Sequence, residues 1–126
     1  MSLYTVTSSQ AFADVVDAAL KTEARVVVSA SNAIAALLGA AKPKVRFVIL
    51  DLETIPDAGR LIDFIKSSPP VRDALIVAVG KEHDFSRLDQ RTCEALSGVI
   101  YSPFTGAELA LVVAGLAVDL NPDAPE

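Results

Sequence analysis

The sequence predicts an α/β protein, a doubly wound parallel sheet of five strands with five helices on its two faces. Three observations predict it. Valines, isoleucines and leucines gather into short, nearly continuous apolar runs, as in Val45 to Leu50 and Ala74 to Val79, and such runs belong to strands covered on both faces. Between them lie stretches whose apolar residues recur at helical spacing. The two patterns alternate along the chain, and right-handed crossovers between parallel strands then place helices on both faces.

The elements follow in order. Leu3 to Val6 is a short first strand, and Ser8-Ser9 caps a helix carried by Phe12, Val15, Val16, Ala19 and Leu20. Arg25 to Ala30 is a β-branched second strand, after which Ser31-Asn32 caps a short helix through Ile34, Leu37 and Leu38, closed near Gly39. Val45 to Asp51 is the organising strand, because its apolar run stops abruptly in a carboxylate. In parallel α/β sheets ligands sit at the carboxyl ends of the strands, which puts Asp51 at the site end. Leu52 to Gly59 turns the chain before Leu61, Ile62 and Ile65 open a helix, and Ser67-Ser68-Pro69-Pro70 breaks it. Ala74 to Gly80 is the fourth strand, Lys81 to Ser86 a polar loop, and Leu88 to Leu96 a helix of mixed charge. Gly98 to Tyr101 is a brief fifth strand, Ser102-Pro103-Phe104 turns the chain, and Thr105 to Glu108 has capping-box spacing ahead of a helix from Leu109 to Leu120. Residues 1–120 read as one domain and residues 121–126 as a tail or linker.

Composition narrows the function. The chain has 126 residues, 52% of them hydrophobic and 21% charged, which suits a filled core. Its net charge of −5 comes with no Lys/Arg cluster to neutralise phosphates, so direct nucleic-acid binding is not expected. Cys93 is the sole cysteine and reads as core filler, which excludes an internal disulfide and suits a reducing compartment. No apolar run approaches the roughly 20 residues of a membrane span and no signal-peptide pattern opens the chain, so the expected location is cytoplasmic, without membrane attachment.

From Phe47 to Asp51, with Gly59 eight residues on and Ser102-Pro103-Phe104 after the fifth strand, the chain resembles the receiver domain of two-component response regulators, over essentially its whole length. The resemblance implies strand order 2-1-3-4-5, with Asp51 at the phosphoacceptor position. It also implies a protein partner in a signalling pathway and no enzymatic activity of its own. The surrounding positions depart from the family. Thr7 and Ser8 stand where receivers carry two acidic Mg²⁺ ligands, Ser102 where they carry a lysine, and Val79 where they carry a hydroxyl. Phosphoryl transfer depends on charges and donors placed around the moving oxygens, so Asp51 keeps the nucleophile without its stabilisers. The expectation is a pseudo-receiver without a cofactor, in which Glu53 with Asp51 offers at most weak Mg²⁺ binding.

Alternatives have their own signals. A receiver still phosphorylated on Asp51 is one. A flavodoxin-like small-ligand domain is another, with an anion held at the helix start Thr7-Ser8-Ser9-Gln10, although no Gly-rich phosphate loop follows the first strand. The serines there read first as caps, His83 reads as a solvated loop residue, and a hydrolase lacks its nucleophile elbow. The last helix carries a different signal. Leu109, Val112, Val113, Leu116 and Leu120 form one stripe for the sheet, yet Leu111, Ala114 and Val118 lie off it, and no charge occurs from Leu109 to Val118. With Tyr101 they form the expected interaction face, for a homodimer or for docking on a neighbouring domain.

Overall fold

The computed structural model describes residues 3–20, 27–28, 46–55, 57–68 and 72–120. The elements in chain order are β1 (Leu3–Val6), α1 (Gln10–Leu20), β2 (Val27–Val28), β3 (Phe47–Asp51), α2 (Ala58–Ser67), β4 (Leu75–Gly80), α3 (Glu82–Ser86), α4 (Gln90–Glu94), β5 (Gly98–Tyr101) and α5 (Gly106–Leu120). The strands form one five-stranded sheet of order β2-β1-β3-β4-β5, with every pairing parallel, as expected.

Period-two alternation sorts the strand residues onto two cores. Tyr4, Val6, Val48, Leu50, Ile76 and Ala78 face α2, which answers with Leu61, Ile62 and Ile65. Leu3, Phe47, Ile49, Val77, Val79 and Ile100 face the other way, onto Val16 of α1 and Leu109 and Val113 of α5. This explains the unbroken apolar runs: β1, β3 and β4 are interior strands covered on both sides, and β3 is buried along its whole length. Each fully buried aliphatic side chain contributes about 1.5–3 kcal/mol, so the two faces dominate the stability of the fold.

Two expected elements are corrected. The polar loop expected from Lys81 to Ser86 contains a helical turn, α3, because Asp84 folds back: its Oδ2 accepts the Lys81 N–H at 2.9 Å while its own N–H donates to Lys81 O at 2.9 Å. The single helix expected from Leu88 to Leu96 shortens to α4, entered through Asp89, whose Oδ1 accepts the Thr92 N–H at 2.7 Å. In addition, α2 begins at Ala58 and so includes Gly59, and the helix packs closely there, since a Cβ on Gly59 would lie 3.7 Å from Leu88 and 3.9 Å from Thr92. The expected caps hold elsewhere. Ser9 Oγ accepts the Phe12 N–H at 3.2 Å, and Thr105 and Glu108 exchange the reciprocal bonds of a capping box at 3.1 and 3.3 Å. The helix expected after Ser31-Asn32, the outer parts of the second strand and the tail at 121–126 lie outside the described residues.

Candidate functional site

The parallel register brings the carboxyl ends of β1, β3 and β4 to one edge, with Asp51 opposite Val79 and the residue after Val6 beside Asp51. Asp51 is only 3% exposed. Burying a carboxylate without partners is costly, and here hydroxyls supply them. Thr7, also buried, donates its Oγ1–H to Asp51 Oδ2 at 2.6 Å, and Thr54 Oγ1 reaches the same oxygen at 3.2 Å. The Glu53 N–H donates to Oδ1 at 3.3 Å.

The hydroxyls are themselves held. Thr7 Oγ1 accepts the Ser9 N–H at 3.0 Å and Thr54 Oγ1 accepts the Ser8 N–H at 3.1 Å, so the start of α1 and the β3–α2 turn are stapled together across the carboxylate. Burial raises the Asp51 pKa above its ordinary value; the bonds from Thr7, Thr54 and the Glu53 N–H oppose that rise, and the Glu53 charge adds to it. No cationic side chain among the described residues contributes to that balance.

The other expected site residues are placed as follows. Ser8 is exposed and acts through its N–H. Val79 is fully buried among Ile49, Ile100 and Val113, with no polar atom in its side chain to exchange. Ser102 donates its N–H to Gly80 O at 2.8 Å, tying the turn after β5 to β4, and follows Tyr101 into a cis Ser102–Pro103 bond. Glu53 makes an ion pair with Lys81 at 3.5 Å. Thr7 turns its hydroxyl proton toward Asp51, and among the described residues no cluster of three or more His, Cys, Asp or Glu could hold a metal.

Sequence reasoning missed Thr54, Lys81 and Asp84. Asp84 is 4% exposed and binds Arg87 Nη2 at 2.7 Å through Oδ1, with His83 at 3.4 Å. Burial pushes its carboxyl up, but the Lys81 N–H, the His83 charge and Arg87 together hold it below the ordinary carboxylate value. An aspartate three residues after a strand-ending Gly-Lys was the available signal, since that spacing reaches back to an N-terminal N–H. His83, read as a solvated loop residue, is exposed, with its Nε2 3.4 Å from Asp84 Oδ1.

The residues expected to form an interaction face are placed as follows. Tyr101 is 58% exposed and packs edge-on against Phe85 at 5.2 Å, and Leu111 is 74% exposed. Ala114 and Gly115 are exposed beside it, with nothing within 4 Å of a Cβ at Gly115. The side chain of Val118 lies outside the described residues.

This topology is that of the CheY-like receiver domains, and comparison with solved structures finds that fold over most of the chain. A response regulator receiver domain from Methylobacillus flagellatus superposes with a TM-score of 0.71 at 22% identity, covering 92% of this chain and 98% of that one. A response regulator from Thermotoga maritima gives 0.67 at 19%, covering 92% and 97%. The phosphorylated cyanobacterial phytochrome response regulator RcpA gives 0.68 at 19%, covering 98% and 96%. No protein-family model matches the sequence, and a search of curated proteins finds no match.

Proposed function

We propose that this chain is a receiver-like module of two-component signalling that works in the cytoplasm by binding a protein partner, without switching by phosphoryl transfer and without a cofactor. One observation carries the reading. Asp51 is enclosed by the hydroxyls of Thr7 at 2.6 Å and Thr54 at 3.2 Å, so polar but uncharged groups stand where a phosphoryl group would need a cation. Ser102 offers no amine, and buried Val79 offers no hydrogen bond that could change when the site changes. Among the described residues no helix is long and apolar enough to cross a membrane, and the net charge of −5 does not favour nucleic acid. Adding beryllofluoride and Mg²⁺, a phosphoryl mimic, should leave the amide NMR signals from Val79 to Glu82 and at Tyr101 in place. Broad shifts across that edge would show a working switch.

The proposed partner surface is the outer face of α5 with Tyr101, and the proposed occupant is a second copy or an adjoining domain. Burying an aliphatic side chain as exposed as Leu111 contributes about 1.5–3 kcal/mol, and a two-fold pair gains it twice before the cost of association.

A second reading, phosphorylation retained on Asp51, has one observation in its favour. Lys81 holds an ammonium at the same edge, 3.5 Å from Glu53, whose N–H touches Asp51. Under that reading Lys81→Ala would abolish labelling by a small phosphodonor.

A further inference from the structure

We propose that the Lys81–Glu53 ion pair is a latch over Asp51, a salt-sensitive strap between two turns that keeps solvent and small reagents from the buried carboxylate. The proposal concerns access to Asp51 alone, so it stands whether or not that residue accepts a phosphoryl group and whichever partner the chain binds.

Register sets the strap in place. Asp51 of β3 lies opposite Val79 of β4, and the Leu52 N–H continues that ladder by donating to Val79 O at 2.9 Å. Two residues past Asp51 and Val79 come Glu53 and Lys81, whose side chains meet at 3.5 Å, so the ion pair joins the two turns just beyond the carboxylate. Both ends are anchored through the backbone. The Glu53 N–H donates to Asp51 Oδ1 at 3.3 Å, and the Lys81 N–H donates to Asp84 Oδ2 at 2.9 Å. Gly80 lets the turns approach each other, since a Cβ there would lie 3.0 Å from Leu52 and 3.2 Å from Asp84.

Exposure separates the latch from the rest of the enclosure. Asp51 is buried, whereas the side chains of Lys81 and Glu53 are 56% and 40% exposed, so the pair forms the outer layer of this edge. The Lys81 ammonium is directed to Glu53, while Asp51 is held by the hydroxyls of Thr7 and Thr54 and by the Glu53 N–H. The hydroxyl staple closes the site toward α1, and the ion pair closes it toward α3. An ion pair this exposed is weak and is screened by salt, which makes it the part of the enclosure that opens without unfolding.

Labelling of the full chain with a water-soluble carbodiimide and glycinamide, read at Asp51 by peptide mass spectrometry, tests this, with the buried carboxylate of Asp84 as the internal control for unfolding. Lys81→Met and Glu53→Gln should each raise the rate at Asp51 by about threefold, the size expected of a half-exposed ion pair, and leave Asp84 unchanged. Lys81→Arg keeps the pair and should label as wild type does. The two disruptive variants change the local charge in opposite directions, so an effect of charge on the reagent or on Asp51 would drive their rates apart. In wild type, about 1 M NaCl, at which the screening length falls to about 3 Å, should reproduce the rise, so the outcome does not hang on the folding of a variant. An Asp51 rate unmoved by salt or by either substitution, opposite changes in the two variants, or an Asp84 rate that climbs with that of Asp51 in salt would overturn the proposal.

Discussion

At the scale of single residues, the Thr7–Asp51–Thr54 cluster holds a buried carboxylate by hydrogen bonding from hydroxyls. Thr7→Val keeps shape and removes one donor from a buried carboxylate, so it should destabilise the fold by about 1–3 kcal/mol in denaturant unfolding; an unchanged midpoint would mean that the bond contributes nothing. The pH dependence of Asp51 has a definite sign. A pKa raised in the folded state makes a contribution to stability that is full below the ordinary value of 3.8 and lost as the pH rises through the folded value. Asp51→Asn cannot ionise, so its Tm should gain on that of wild type as the pH climbs from about 4 to 7. A gap that stays constant would contradict the assignment. Asp84 has the opposite sign, with stability present above its ordinary value of 3.8 and lost as the pH falls through the lower folded one, but both proteins share it. One β1 hydroxyl is different again: Thr5 Oγ1 is buried with no hydrogen-bond partner among the described residues, and Thr5→Val should stabilise by about 1 kcal/mol, as the unmet donor disappears.

At the scale of elements, the legible parts were those set by periodicity. The runs ending at Asp51 and Gly80 could only be strands, and the Leu109-Val113 stripe of α5 packs where its spacing placed it, with both side chains buried. The illegible part was the chain between β4 and β5, because α3 is made by one buried carboxylate, Asp84, and not by an apolar repeat. Asp84→Ala should cost about 1–3 kcal/mol, leaving the Lys81 N–H without its acceptor, and should speed amide exchange from Lys81 to Ser86; protection equal to wild type would show that α3 stands without it. The charge-free run from Leu109 to Val118 marks α5 as a helix in need of cover, and its Leu111 is left exposed by the chain itself. Leu111→Glu should change unfolding stability by less than about 0.5 kcal/mol while converting a sedimenting dimer to monomer. A wild type monomeric at high concentration would exclude the symmetric pair.

At the scale of the whole molecule, sheet order and site edge followed from the alternation of patterns, whereas the site's internal partners did not. Asp51 was visible because a charge ends an apolar run. Thr54 was not, since a threonine in a polar turn looks like any other, and only the fold of the β3–α2 turn brings it within 3.2 Å of the carboxylate. The molecule thus keeps the receiver architecture around an aspartate enclosed by hydroxyls, and the central claim is that this enclosure does not support phosphoryl transfer. Intact-mass spectrometry after incubation with acetyl phosphate and Mg²⁺ tests it most directly. The account predicts an unmodified mass, and a stoichiometric phosphoryl adduct that disappears in Asp51→Asn would contradict it.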